Sequence, residues 1–291
     1  QALESLALGR ALGEKAGATF TTAYSIAKVG LSHMAQGRLQ EAVVLFRSAL
    51  ADPGMYIDES VSEASLVCGL IAALYECDDL DGAMELYQQF HDTLINVAIH
   101  DYLVISYVTV ARILDTRDER NAALEVLDEA ERLAYSAQWP RAVSLINWER
   151  VRRELIIGQT DRAGVLAGWI SDDGANADPD WVRLSEETDG PILGRLRLMI
   201  YSGQAADALQ EAHDHLRRAE GAGRLHRQIK LNILITLAHK QLHDVPAAHR
   251  TLASALELAA PGGYLRCFLD EGEGLGGLLL EHVQAVGRGL K

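Results

Sequence analysis

Three arginines spaced 40 and 45 residues apart are the side chains of this chain best suited to bind a ligand. They are Arg112, Arg152 and Arg197. A guanidinium group presents a planar fork of donors that holds a carboxylate or a phosphate through two hydrogen bonds at once. Glu149 precedes Arg152 by three residues and Tyr201 follows Arg197 by four, so each shares a helix face with its arginine. The pattern predicts a stripe that binds carboxylates, phosphates or polar sugars.

A structural interpretation of the same three arginines stays open. In that interpretation they pair with acidic residues on adjacent repeats and only hold a stack of helices together. Trp148 is close to them in sequence, but its position within the repeat is occupied by apolar residues elsewhere in the chain. We therefore expect Trp148 in the core and restrict the candidate ligand-binding residues to the three arginines, Glu149 and Tyr201.

A glycine pattern near the end of the chain matches the G-x-G-x-x-G sequence of dinucleotide-binding proteins. The surrounding residues argue against that function, because nearby carboxylates would repel a pyrophosphate and the chain ends too soon for a βαβ unit. The glycines are Gly272, Gly274 and Gly277, and the carboxylates belong to Asp270, Glu271 and Glu273.

Two histidine pairs have a spacing that a metal ion could use on a helix. Neither pair lies near a cysteine or within an H-E-x-x-H sequence, so we expect surface histidines. The sequence also contains no phosphate-binding G-x-x-x-x-G-K-[ST] loop and no G-x-S-x-G element. We predict no catalytic residue, no cofactor and no metal site, and we expect that the chain is not an enzyme. The pairs are His213 with His215 and His239 with His243.

The arginines must be positioned by repeated helices, because the chain has a period. Short breaks between helix-like runs recur at intervals of 41, 40, 40, 45 and 40 residues, and an alanine follows each break by five residues. A fixed period with a small residue at one phase is typical of stacked helical hairpins. Each arginine precedes its break by six residues. The breaks are at Gly37, Asp78, Asp118, Gly158, Gly203 and His243, and the alanines are Ala42, Ala83, Ala123, Ala163, Ala208 and Ala248.

The predicted fold is all-α, a superhelical solenoid of about six helical hairpins with a partial hairpin before them and an irregular C-terminal tail. The array covers residues 1–260, and an acidic insertion at 171–189 accounts for the long interval. Insertions of this kind emerge as loops on one face of a repeat array. Residues 261–291 form a closing segment in which frequent glycines disfavour a long helix, so only a short helix over 278–285 is predicted.

Composition narrows the class of protein further. A formal net charge of −14 disfavours non-specific nucleic-acid binding, which needs clustered Lys and Arg. The three cysteines are odd in number and lack C-x-x-C spacing, which fits a reducing cytoplasm. No apolar run approaches the length of a membrane span, and the first residues do not resemble a signal peptide. Since the chain opens inside an amphipathic run without a Met, we expect it to be a piece of a larger protein.

The end of the array resembles a known family. Residues 253–272 are similar to the segment that closes the tetratricopeptide-like region of large MalT-like, LuxR-type transcription activators. The shared residues of the tail are structural in that family, and further pieces of the repeats also fit, so the resemblance covers essentially the whole chain. The tail residues are Gly263, Tyr264, Arg266, Phe268, Asp270 and Gly272, and the repeat pieces are residues 35–42, 74–76, 130–134 and 219–225.

The resemblance implies a tetratricopeptide-like sensor that binds an inducer and takes part in self-association. In that family a nucleotide-hydrolysing module precedes the array and a helix-turn-helix follows it, so DNA would be bound only through a domain that is absent here. The expected partner is a small-molecule inducer or a regulatory protein on the concave face, in the cytoplasm. A peptide-binding adaptor and a structural spacer remain as alternative interpretations.

Overall fold

A computed structural model describes residues 2–52, 61–97, 100–170 and 189–289 of the chain. These residues form fifteen helices and contain no strand, so the all-α prediction is confirmed. Within the same residues, no helix is both long enough and apolar enough to span a membrane. The predicted acidic insertion at 171–189 lies outside the described residues except for Asp189.

Two compact units divide the chain, Gln1–Ala142 and Val143–Lys291. The first unit contains seven helices and the first residues of an eighth. They are α1 (Ala2–Ala16), α2 (Thr19–Ala35), α3 (Leu39–Leu50), α4 (Val61–Glu76), α5 (Leu80–Val97), α6 (His100–Thr116), α7 (Arg120–Ser136) and α8 (Pro140–Ile156).

The second unit contains the remainder of α8 and the helices that follow it, and the predicted closing segment 261–291 lies within this unit. The helices are α9 (Thr160–Ala167), α10 (Pro191–Tyr201), α11 (Ala205–Gly221), α12 (Leu225–Gln241), α13 (Val245–Ala259), α14 (Arg266–Leu269) and α15 (Gly272–Gly289).

All six predicted breaks are helix ends of one type. Each break residue has a φ between 60° and 82°, in the left-handed region that stops a helix. At Gly37, for example, the N–H of the break residue donates to the carbonyl of Met34, and the next N–H, of Arg38, donates to that of His33. The other five breaks repeat this pair of hydrogen bonds. The pattern is a Schellman motif, which satisfies the last carbonyls of the helix.

The alanine after each break is fixed by the same turn. The residue that follows the break is the N-cap of the next helix, and its carbonyl accepts the first helical hydrogen bond from the alanine, as Arg38 does from Ala42. The alanine therefore sits in the first turn of the second helix, and all six alanines are completely buried. A larger side chain would separate helices that touch at this point. The repeat predicted from the sequence is confirmed by these contacts.

Aromatic rings fill the spaces where glycines let two helices approach. In the first unit, the Phe46 ring lies against Gly30 of α2 and Gly69 of α4, so close that a Cβ at either glycine would come within 2.3 to 2.5 Å of the ring. In the second unit, the Trp148 indole lies against Gly194 of α10 in the same way. Trp148 is 9% exposed and belongs to a buried apolar cluster, which confirms its predicted place in the core.

The closing segment is more helical than its glycines predicted. The short helix expected over 278–285 is part of α15, which starts at Gly272 and runs to Gly289. Leu275 and Leu278 on this helix are buried, and the helix contacts α12 and α13. Burial of this apolar face outweighs the cost of the glycines, because tertiary packing contributes more to helix stability than intrinsic propensity does. The prediction of an irregular tail was therefore wrong for residues 272–289.

Candidate functional site

Arg152 forms a buried ion pair with the residue one helical turn before it. On α8, its Nε and Nη2 donate to both carboxylate oxygens of Glu149 over distances of 2.6 to 3.0 Å. Both side chains are almost fully buried. The spacing of three residues places them on one helix face, as the sequence predicted. The pair has the bidentate geometry in which a guanidinium binds a carboxylate most strongly.

Arg197 binds a carboxylate from the far end of the chain. On α10, its Nε lies 3.0 and 3.2 Å from the two carboxylate oxygens of Glu271, and its Nη2 donates to one of them at 2.6 Å. Asp189 adds a second carboxylate, 3.6 Å from Nη1. Arg197 and Glu271 are both buried, so neither charge is solvated by bulk water. The closing segment therefore supplies the main counter-charge of this arginine.

The same turn of the closing segment also contacts Arg152. The Nη1 of Arg152 donates to the backbone carbonyl of Asp270 at 2.7 Å. The carboxylate of Asp270 in turn accepts a hydrogen bond from Arg266 at 2.7 Å, one turn earlier in the segment. We call residues 270–272 the closing turn. It gives a backbone oxygen to one predicted arginine and a side-chain carboxylate to the other.

The tail residues singled out by resemblance shape the closing turn. Gly263 and Gly272 have φ values of 76° and 62°, which other residues adopt at a cost. Tyr264 is buried, with its ring centroid 4.8 Å from that of His226 on α12. Phe268 is buried as well. Together with the pair of Arg266 and Asp270, these residues fix the path of the chain between α13 and α15.

Tyr201 lies at the edge of the same cluster. The pKa of its hydroxyl is raised to about 12, mainly by burial and also by the Glu271 carboxylate, while Arg197 and Arg152 oppose the rise. The hydroxyl oxygen lies 3.0 Å from the point that a Cβ on Gly274 would occupy. Tyr201 therefore faces the start of α15 as a neutral hydroxyl, which can donate or accept a hydrogen bond.

Arg112 is the one predicted site residue that lies in the first unit. It sits on α6 and is 4% exposed, and its carbonyl accepts a hydrogen bond from Thr116 at 3.0 Å. The structure thus brings Arg152, Arg197, Glu149 and Tyr201 together in the second unit, whereas Arg112 belongs to the core of another unit.

Sequence reasoning did not assign a binding role to Glu271 or to the backbone of Asp270. Glu271 is 74 residues from Arg197 and the Asp270 carbonyl is 118 residues from Arg152. Both lie outside the repeated part of the chain, so the period could not relate them to the arginines. The available signal was an Asp-Glu pair that directly follows the apolar run 267–269, because an acidic residue that is buried beside such a run needs a cationic partner.

The structure shows the surroundings of the G-x-G-x-x-G sequence and of the first histidine pair. The residues before the G-x-G-x-x-G sequence include the short helix α14 and no strand. The Nδ1 of His213 donates a hydrogen bond to the carbonyl of Leu209 in the same helix, and His215 lies 3.6 Å from Glu211. In the part of the chain that the structure describes, no three His, Cys, Asp or Glu residues are grouped closely enough to hold a metal ion.

Comparison with known proteins gives a match to a protein family. A family model described as the MalT-like TPR region covers residues 1–285, which is nearly the whole chain. Among curated proteins, none has a sequence that matches this chain.

Proposed function

The chain belongs to the MalT-like TPR family, and on that premise we propose that it is the effector-sensing and self-association domain of a LuxR-type transcriptional regulator. In this proposal a small inducer binds at Arg152 and Arg197 of the second unit. DNA binding belongs to a separate domain of the same regulator, and the regulator acts in the cytoplasm. The chain itself contributes recognition and carries out no reaction.

The observation that supports this proposal is the buried arginine pair of the second unit. Arg152 and Arg197 each hold a carboxylate through at least two hydrogen bonds. Burial of a guanidinium is costly unless each charge is matched, so such a position discriminates strongly between ligands that carry a negative charge and ligands that do not. A regulatory domain that responds to one metabolite needs this kind of discrimination.

A second candidate function is a peptide-binding adaptor, and one contact favours it. Arg152 donates to a backbone carbonyl, that of Asp270. A peptide ligand supplies backbone carbonyls and carboxylates in the same short segment, as the closing turn does. In this alternative the domain recognises an acidic segment of a regulatory protein instead of a metabolite.

A thermal-shift screen tests the proposal directly. Sugars, organic acids, aromatic acids and nucleotides are added singly to the chain, and a binding compound raises the midpoint of unfolding. At a hundredfold excess over Kd the stabilisation is about 2.7 kcal/mol. Each active compound is then tested on Arg197→Gln and on a matched control, Arg195→Gln, which removes a half-exposed arginine of the same helix.

The two variants separate the possible outcomes. A shift that is lost in Arg197→Gln and kept in Arg195→Gln supports an inducer site at the buried arginines. A shift kept in both variants supports a sensor that binds its inducer elsewhere. If no compound shifts the midpoint while acidic peptides do, the adaptor function replaces the sensor function. Sedimentation velocity with and without the active compound then tests self-association.

A further inference from the structure

The carboxylate of Glu271 occupies the position on Arg197 that a ligand carboxylate would take. Its two oxygens accept hydrogen bonds from Nε and Nη2, the two donors on one edge of the guanidinium. We propose that Arg152 and Arg197 form a carboxylate-binding site whose occupant in this state is the chain's own closing turn. An effector that carries a carboxylate then binds by displacing Glu271, and the release of the closing turn is the signal.

The contacts of the closing turn define the chemistry of the effector. Glu149 stays on Arg152 whatever the closing turn does, because the two residues share a helix. The Asp270 carbonyl on Arg152 is neutral, so a hydroxyl or carbonyl oxygen can replace it. When Glu271 leaves, Arg197 loses the carboxylate that accepts hydrogen bonds from its Nε and Nη2, while Asp189 remains 3.6 Å from Nη1. The matching ligand is therefore an organic acid with one carboxylate for Arg197 and a second oxygen acceptor for Arg152.

Displacement of Glu271 would act on α15, because that helix begins at the next residue. Beyond Gly272, the first turn of α15 is held by Lys240 of α12, whose Nζ donates to the Gly274 carbonyl at 2.5 Å. Further along, Glu281 lies 3.3 Å from Nε2 of His249 on α13. These contacts involve exposed or partly exposed groups, whereas the contact between Arg197 and Glu271 is buried. The buried pair is thus the main electrostatic anchor of the helix start.

Hydrogen exchange on two variants tests the anchor without any ligand. The proposed carboxylate site rests on the proposed sensor function, since it assigns an effector class to the same arginines. Glu271→Gln removes the charge that binds Arg197, and Glu273→Gln removes an exposed charge two residues later. We expect the amides of α15 to exchange about tenfold faster or more in Glu271→Gln, and at the wild-type rate in Glu273→Gln. Equal exchange in the two variants, or faster exchange spread over all helices of residues 143–291, overturns the proposal.

Citrate, as a probe with several carboxylates and a hydroxyl, tests the site itself. Calorimetry compares citrate binding to the wild-type chain, to Glu271→Gln and to the double variant Glu271→Gln/Arg197→Gln, with sodium chloride of equal ionic strength as the blank. We expect citrate to bind Glu271→Gln at least tenfold more tightly than wild type, because the internal competitor is weakened, and to lose binding in the double variant. Equal affinity for all three proteins overturns the carboxylate site.

A more conservative substitution of Arg197 tests the same contact with less risk that the chain fails to fold. Arg197→Lys keeps the positive charge and removes the planar pair of donors. We expect it to stay folded and to release α15 in the exchange experiment, and unchanged exchange of α15 in a folded Arg197→Lys counts against the proposal. Failure of the carboxylate site can be distinguished from failure of the sensor function. A neutral inducer that binds equally to wild type and Glu271→Gln supports the sensor function while it overturns the carboxylate site.

Discussion

A single residue with left-handed backbone geometry ends the first helix of every repeat, and its side chain affects the cost of the turn. Three of the six break residues are glycines, which adopt a positive φ without strain. Asp78, Asp118 and His243 have φ values of 60° to 67°, and Gln138 between α7 and α8 has a φ of 53°. Asp is among the residues that tolerate this region best. The backbone turn is therefore the same at each break, although the residue type changes.

Two glycines near α9 allow the cost of the left-handed turn to be measured. Gly158 has a φ of 77° and Gly164 lies inside the helix, and a Cβ at either position would meet no other atom within 4 Å. We expect Gly158→Ala to lower the free energy of unfolding by about 1 kcal/mol, since alanine is strained at positive φ. We expect Gly164→Ala to raise it by up to about 1 kcal/mol through helix propensity.

Denaturant unfolding of both variants measures the two changes in the free energy of unfolding. Because neither added methyl group touches a neighbour, a loss of stability in Gly158→Ala together with a gain in Gly164→Ala can be assigned to backbone conformation. If Gly158→Ala is as stable as Gly164→Ala, the turn at residue 158 does not need a glycine.

At the scale of helices, rings that fit against glycines determine how closely the elements pack. Phe46 of α3 is fully buried between α2 and α4, and its ring tip is the nearest side-chain atom to both Gly30 and Gly69. Trp148 of α8 plays the same part against Gly194 of α10 in the second unit. Dense packing of this kind leaves no room for an added methyl group unless the ring moves.

The contact between Phe46 and Gly69 yields a prediction for α3 and α4. Gly69→Ala would place a Cβ 2.5 Å from the ring tip, so we expect it to lower the free energy of unfolding by about 1–3 kcal/mol. In a Phe46→Leu background the ring tip is absent, and the same substitution should cost much less. Thermal denaturation of the two single variants and the double variant measures this coupling. Additive effects of the two substitutions would show that the clash is relieved in another way.

At the scale of the whole chain, the parts that follow the period were predictable and the parts that leave it were not. The six breaks and the six alanines share one turn geometry, so a regular spacing in the sequence was enough to place them. The pairing of Arg152 with Glu149 could also be read from the spacing on one helix. The pairing of Arg197 with Glu271 depends on where a non-repeated segment returns to the array, and local spacing carries no information about such a return.

Histidine burial in both units leads to a pH dependence of the whole chain. Burial lowers the pKa of His33, His215 and His239 below the usual 6.5, and nearby arginines contribute in each case. For His215 the main arginine is Arg227. The unfolded chain therefore binds protons at a higher pH than the folded chain does, so stability must fall as the pH drops through 6.5. Above about pH 7.5 both states are unprotonated at these residues, and their contribution is constant.

We expect the midpoint of thermal unfolding to be level from pH 8.5 to 7.5 and to decline between pH 7 and 5.5, before most carboxylates titrate. His215→Gln removes one of these partly buried histidines and should make the decline shallower, because fewer protons are then taken up on unfolding. His243→Gln, at an exposed break residue, provides the control for replacing a histidine. A decline of the same steepness in wild type and both variants would mean that other groups than His215 set the pH dependence.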